Sequence, residues 1–414
     1  MWLQQTTVVE RRALIATFAG YGVDGFDYMI YTFVIPTLLG LWGMSRAEAG
    51  FIATGSLLSA AAGGWAAGVL ADRFGRVRLL QITVLWFALF TGLCGFTDTY
   101  RQLLWTRVLQ GFGFGGEWSV GAVLIAETIA SRNRGKAAGL VQSSWAVGWA
   151  AAALAYGCVF ALIPPPWGWR ILFWLGILPA LLVLYIRRHV VEPPLHAALR
   201  ETGAAAGHFL DIFRPPLLRT SVLASLLSCG MMAAYYSVTT WLPTFLRSER
   251  HLSVQGTSGY LLVLIGGSLA GYWAGAWLSD ALGRRRCCML FAAGGCALIL
   301  CYLRVPVTDG QMLLLGFPLG FFLSGTFSGM GAFLAELYPT AVRGSGQGFC
   351  YNSGRAAGAF CPALIGLWSA HLPLGEGIAW MTAAADGLVI AAAWALPETR
   401  GRELPPDAGA AAAS

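Results

Sequence analysis

The segment Gly68-Val69-Leu70-Ala71-Asp72-Arg73-Phe74-Gly75-Arg76 returns 208 positions later as Ala276-Trp277-Leu278-Ser279-Asp280-Ala281-Leu282-Gly283-Arg284. A second echo follows at nearly the same offset. Ala126-Glu127, Arg134-Gly135 and Gly139 come back as Ala335-Glu336, Arg343-Gly344 and Gly348. An internal duplication of this length decides the fold before any local propensity does. With apolar stretches on both sides of each copy, it is the pattern of a polytopic membrane protein built from two related halves, in which a binding site lies between the halves.

Composition agrees with this. Of 414 residues, 57% are hydrophobic and only 11% are charged, too apolar for a water-soluble core of ordinary make-up. Apolar stretches recur near 13–39, 48–71, 79–97, 101–126, 137–163, 169–187, 220–246, 256–279, 287–304, 309–336, 345–370 and 377–396. Most reach the roughly 17–25 residues that a spanning helix needs. The expected fold class is therefore an all-α membrane protein with twelve transmembrane helices, six per half. Residues 1–187 form the first half, 188–219 a cytoplasmic linker, 220–400 the second half and 401–414 a cytoplasmic tail.

The net charge of +7 does not signal nucleic acid, because of where the charge lies. With the amino terminus inside, 19 basic residues fall on the cytoplasmic side, six on the outer side and two, Arg107 and Arg355, within spans. The positive-inside rule then places both termini in the cytoplasm of a cell that carries the chain in its inner membrane. The first span is too long, and too polar at Asp24 and Asp27, for a cleaved signal peptide. The nine cysteines lie mostly in apolar segments without metal-ligand spacing and read as small hydrophobes. No metal, cofactor or appended catalytic domain is expected, and a monomer suffices.

Glycine spacing has a packing logic. Gly111, Gly113, Gly115 and Gly116 in span 4, with Gly316 and Gly320 in span 10, permit close helix approach where lipid provides no hydrophobic drive. Ser45-Arg46-Ala47-Glu48 is a capping box that opens span 2, and Ser253 stands at the equivalent place before span 8.

These residues resemble the major facilitator superfamily. Asp72-Arg73-Phe74-Gly75-Arg76 and its second copy are similar to that family's loop between spans 2 and 3, and Arg107-Val108-Leu109-Gln110-Gly111-Phe112-Gly113 to its span 4 motif. Within the superfamily, Asp24-Gly25-Phe26-Asp27-Tyr28-Met29-Ile30-Tyr31 resembles span 1 of the sialate/lactate, aromatic-acid and metabolite proton symporters. Gly116-Glu117-Trp118 resembles the metabolite group. Gly168-Trp169-Arg170 through Pro179, and Arg343 through Arg355, are closest to the sialate/lactate group. Pro397-Glu398-Thr399-Arg400-Gly401 is similar to the sugar-porter ending. The resemblance implies alternating access, with the Asp72, Arg73, Gly75 and Arg76 loop and its Asp280, Gly283 and Arg284 copy acting as gating latches.

The ionisable residues inside the spans carry the chemical expectation, since charge at that depth is costly and faces a cavity or a partner. Asp24 and Asp27 are three residues apart and share a face of span 1. Arg107 and Gln110 share a face of span 4, with Glu117 further along it. Proton coupling is expected in the set Asp27, Asp24, Glu117 and Arg107, with Asp27 favoured as the deeper carboxyl and a structural ion pair with Arg107 as its alternative. Glu127 and Glu336, beside Arg134 and Arg343, read as structural.

Arg355 has no charged counterpart in the first half, where Ala146 stands at the repeat offset. Its planar fork suits a carboxylate. Asn352, Gln142, Trp145, Tyr235 and Tyr236 are expected to line the cavity around it. The function that follows is secondary active symport of protons with a small organic anion, a monocarboxylate such as lactate, sialate or an aromatic acid, by a chain that is not an enzyme. A uniporter or exporter of a neutral or cationic metabolite, or a membrane sensor that does not transport, are the alternatives.

Overall fold

The computed structural model describes residues 6–129, 134–178, 180–190, 209–215, 217–305, 308–339 and 342–400. Twelve membrane-crossing units are built from fifteen helices. In the first half α1 (Val8–Trp42), α2 (Arg46–Phe74), α3 (Arg76–Cys94), α4 (Tyr100–Thr128) and α5 (Arg134–Leu162) each cross once, and α6 (Pro165–Leu175) with α7 (Ala180–His189) makes the sixth span. In the second half α8 (Leu217–Ser248), α9 (Val254–Leu282) and α10 (Arg284–Arg304) are continuous. Spans 10 and 11 are broken, into α11 (Asp309–Gly325) and α12 (Met330–Glu336), and into α13 (Arg343–Gly358) and α14 (Cys361–Trp368), before α15 (Leu374–Ala395) closes the chain.

Helix therefore continues to His189 and resumes at Leu217, after a 3-10 turn at Phe209–Phe213, so both ends of the expected linker are partly helical. The expected tail at 401–414 lies outside the described residues. Seven described segments, spans 3, 5, 7, 8, 9, 10 and 12, are long and apolar enough to cross a membrane by length and composition alone. Spans 1, 2, 4, 6 and 11 are not among the seven: spans 1 and 4 carry Asp24, Asp27, Arg107 and Glu117, the side chains of span 2 are described only in part, and spans 6 and 11 are interrupted.

The two halves repeat one packing plan. α2 packs on α4 as α9 packs on α11, and α1 on α5 as α8 on α13. The tightest of these contacts have no side chain between backbones. A Cβ on Gly111 would overlap the carbonyl of Ser56, and one on Gly320 the carbonyl of Leu264, the equivalent site in the second half. Gly316 behaves differently, since its nearest neighbour would stand 3.7 Å from a Cβ there. The capping boxes form as the sequence suggests: Glu48 N donates to Ser45 Oγ at 3.1 Å, Ser45 N to Glu48 Oε2 at 2.8 Å, and Gly256 N to Ser253 Oγ at 3.0 Å.

The duplicated loop has a backbone reason for its glycine. Gly75 and Gly283 precede α3 and α10 with φ of 91° and 98°, a region that residues with a Cβ rarely enter. In the second copy, Arg284 bonds Asp280 and bridges Glu336 at 3.0 Å, and the Glu398 carboxylate accepts from the backbone N–H of Arg284 at 2.9 Å and of Arg285 at 3.2 Å. Thr399 Oγ1 donates to Glu336 at 2.6 Å. Glu336 is thus a member of the latch, bonded to Arg284, whereas the Arg343 guanidinium donates to the Ala335 carbonyl. The side chains of Asp72, Arg73, Arg76, Glu127 and Arg134 lie outside the described residues.

Between the halves, α5 faces α9, α2 faces α13 and α14, and α1 faces α8. The ends of the spans at the α1–α2 loop, the outer face on the orientation expected from the sequence, are pressed together. A Cβ on Gly50 would stand 2.5 Å from the Pro362 carbonyl, and one on Gly366 2.5 Å from that of Arg46, while Thr54 Oγ1 donates to the Ala359 carbonyl at 2.6 Å. Closure of this face therefore depends on the absence of a side chain at two positions. Gly50→Val is expected to favour the outward-open state. An impermeant thiol reagent should label a Thr54→Cys reporter severalfold faster from the outer side when Gly50→Val is added, and unchanged labelling would show that this contact does not hold the face shut.

Candidate substrate and proton site

Two charged groups are buried within the spans, and they differ in how their charge is balanced. The first is anchored on α1 and α4. Arg107 Nη1 bonds Asp27 Oδ2 at 3.0 Å, and Gln110 Nε2 donates to the same oxygen at 2.5 Å. The Arg107 guanidinium also sits 5.1 Å from the Tyr31 ring and 6.0 Å from the Phe173 ring, both buried. Asp27 and Arg107 are 0% and 1% exposed. Arg107 and Gln110, one turn apart on α4, reach one carboxylate together, the shared face expected from their spacing.

Asp24, one turn earlier on α1, points elsewhere. Its carboxyl lies close enough to that of Glu117 on α4 for the two to interact electrostatically, and neither Asp24 oxygen makes a hydrogen bond to a described group. Glu117 presses against α1 at Gly20, where a Cβ would collide with its Oε1. The cation whose field reaches Asp24 is Arg355 of the opposite half. The four titratable residues singled out from sequence therefore separate into a closed ion pair, Asp27 with Arg107, and an adjacent carboxyl pair, Asp24 with Glu117.

Arg355 occupies the last turn of α13, immediately before span 11 breaks, and is 2% exposed. Its guanidinium stands 5.3 Å from the ring of Phe114, on α4, and 5.0 Å from that of Tyr351, to whose hydroxyl Nη2 donates at 3.2 Å. Aromatic side chains from both halves surround it. Trp145 Nε1 donates to the Tyr235 hydroxyl at 2.6 Å, and Tyr28 shares a 2.9 Å hydrogen bond with Thr240, each contact joining the two halves. Tyr28 and Tyr236 lie 5.8 Å apart, and Trp145 lies 5.3 Å from Tyr21 and 6.1 Å from Phe114.

Of the residues expected around Arg355, Trp145, Tyr235 and Tyr236 belong to this cage. Gln142 reaches it through Tyr21, donating to its hydroxyl at 3.0 Å. Asn352 turns to the α2 contact: its amide bonds back to the Gly348 carbonyl at 3.1 Å, and its Oδ1 would meet a Cβ on Gly64. Sequence reading did not single out Tyr21, Tyr28, Phe114 and Tyr351. A signal for two of them was present, because Tyr21, Asp24 and Tyr28 follow at intervals of three and four and so line one stripe of α1.

The comparisons with known proteins agree with this architecture. The Major Facilitator Superfamily model matches residues 17–277 and again 262–413. The chain belongs to the major facilitator superfamily. It is 38% identical over 97% of its length to a probable 4-methylmuconolactone transporter of Cupriavidus pinatubonensis, covering 93% of that protein. It is 29% identical to the cis,cis-muconate transport protein of Acinetobacter baylyi, over 90% of this chain and 91% of that one. Among solved structures, the xylose transporter XylE of E. coli in a partially occluded inward-open conformation aligns with a TM-score of 0.76 at 17% identity, covering 96% of this chain and 100% of that one, and shares its fold. This major facilitator protein is a multi-pass membrane transporter and not an enzyme.

The closed ion pair carries a direct prediction. Asp27→Asn leaves the Arg107 guanidinium buried without its counter-charge, a change that costs about 3–5 kcal/mol where one partner of a buried pair is removed. The variant should melt well below the parent in detergent, and adding Arg107→Gln should recover most of the loss. An unchanged Tm in Asp27→Asn would mean that the pair is not a structural fastening.

Proposed function

We propose that this transporter moves a small, flat organic monocarboxylate across the cytoplasmic membrane together with protons, with both chain termini and the 188–219 linker in the cytoplasm. The observation that carries the reading is Arg355, a buried guanidinium at the meeting of the halves, walled by Phe114, Tyr351, Tyr236 and Trp145. A guanidinium offers a carboxylate two parallel hydrogen bonds, and aromatic walls suit an unsaturated or ring-bearing body. Relatives named as carriers of a muconolactone and of a muconate support an unsaturated organic acid as the substrate, though muconate carries two carboxylates rather than one.

Coupling follows from the distribution of charge. Two buried carboxyls this close do not both stay ionised, so Asp24 and Glu117 share a proton. Arg355 is the cation that acts on Asp24. A substrate carboxylate bound to Arg355 cancels that field and favours a proton on the pair, so anion and proton enter the closed site together. When the halves rock and the substrate leaves, the field returns and the proton follows. Asp27 and Arg107 keep α1 and α4 in register throughout, with lipid around the bundle and no nucleic acid, cofactor or second subunit in the cycle.

Arg355→Lys keeps the charge but loses the fork, and is expected to weaken carboxylate binding at least about tenfold, equivalent to about 1.4 kcal/mol. Titration of reconstituted protein with a panel of benzoate, muconate, muconolactone, lactate and sialate checks it. An unchanged affinity in a folded variant removes Arg355 from the site.

Asp24→Asn, and separately Glu117→Gln, should abolish uptake against a gradient while leaving exchange at equal pH measurable in the same proteoliposomes. The amides keep shape and hydrogen bonding but do not titrate. Accumulation that persists in both variants, driven by an inward proton gradient, would remove Asp24 and Glu117 from the coupling and leave Asp27 as the next carboxyl.

A further inference from the structure

Asp386 in α15 is an intramembrane carboxyl that the site above does not use. It is 6% exposed and makes no hydrogen bond or ion pair with any described residue. It faces a void among α8, α10, α11 and α15, with Met231, Ala234, Gly295 and Phe322 among its walls. The void takes about one water molecule. Two hydroxyls share it. Thr382, one turn before Asp386 on the same face of α15, has a buried Oγ1 with no hydrogen-bond partner, and Thr326 donates to the Phe322 carbonyl at 3.0 Å, leaving its lone pairs available. Opposite the carboxyl, Gly295 leaves α10 without a side chain, since a Cβ there would stand 3.6 Å from Asp386 Oδ2.

We infer that Asp386 is a second proton-binding site, in the opposite half from the Asp24–Glu117 pair, protonated in this closed state and able to exchange its proton as span 10 moves. Three features of the packing argue for it. The void contains no cation to offset an ionised carboxylate, and charge at that depth is costly without one. Thr382 and a single water supply the donor and acceptor that a protonated carboxyl needs. The walls include the break in span 10, which is the element able to open them.

That break also connects the void to the substrate cage. Thr326 lies on the void, and its neighbour Phe327 lies 5.3 Å from the Tyr235 ring, whose hydroxyl receives the hydrogen bond from Trp145 across the halves. A shift of the Thr326–Gly329 segment therefore alters the surroundings of Asp386 and the contact between halves at once. Other titratable groups near Asp386 are thiols: Cys296 of α10 interacts with it, and Cys361 of α14 packs against the adjoining Ala385. α8 presents Met231, Ala234 and Val238 to the void, and α11 presents Leu319, Phe322 and Leu323, none of which titrates.

The test requires no substrate, so its outcome is independent of the substrate and coupling assigned above. Infrared spectra are recorded on the reconstituted full-length chain with aspartate side-chain carboxyls labelled with 13C, at neutral pH. The expected result is a protonated aspartic C=O band that is lost in Asp386→Asn and retained in Asp24→Asn. It should exchange with D2O faster in Gly50→Val than in the parent. A spectrum of Asp386→Asn identical to the parent overturns the inference, as does an exchange rate equal in parent and Gly50→Val. If Asp386→Asn does not fold, Asp24→Asn decides alone: absence of any protonated aspartate band there overturns the site.

Discussion

The hydrogen-bonded pair of Asp27 and Arg107 is the constraint on which the functional half of the molecule rests. It joins α1 to α4 in a medium that offers neither water nor counter-ions, and Gln110 closes on the same carboxylate oxygen. With those helices in register, Glu117 is held against Gly20 and beside Asp24, and Phe114 is presented to Arg355 across the gap. A buried pair of this kind contributes little net stability compared with well-packed apolar residues. What it supplies here is position. It neutralises one arginine and one aspartate, so that the neighbouring carboxyls and the second arginine remain to respond to ligands.

The duplication separates architecture from chemistry. Features present in both halves serve the scaffold: the positive-φ glycines Gly75 and Gly283, the backbone contacts at Gly111 and Gly320, and the capping serines Ser45 and Ser253. Features present in one half are the ones to which the proposed function is assigned. The carboxyls Asp24 and Glu117 belong to the first half, and Arg355 and Asp386 to the second. Identical halves would hold a cation on both sides, whereas the proposed carrier of an anion between its halves needs one on a single side.

The network at the start of α10 in the second half shows how the repeat was elaborated. Glu336 joins Arg284 and Thr399, and Glu398 accepts the free backbone N–H groups at the start of α10, where the helix dipole favours a negative charge. The Pro397–Arg400 stretch therefore has a structural assignment in this chain. It staples the end of span 12 to the loop between spans 8 and 9.

By itself the sequence determined the membrane fold, the twelve spans in two halves, the place of the duplicated loops and the identity of the buried charged residues. Hydropathy, periodic spacing and the cost of burying charge are properties of a single segment, readable without its neighbours. The spacing of Arg107 and Gln110 announced a shared face, and the solitary Arg355 announced an asymmetry between halves. Only the tertiary structure decided which carboxyl took which partner, because Asp24 and Asp27 differ by less than one helical turn and the choice depends on how α1 is rotated against α4. It also decided that Asn352 serves the α2 contact, that Glu336 belongs to Arg284, that Tyr21, Tyr28, Phe114 and Tyr351 form the cage, and that Asp386 faces a void. These outcomes depend on the angle at which helices meet, and in a bilayer that angle is set by glycine-to-backbone contacts between segments far apart in the chain.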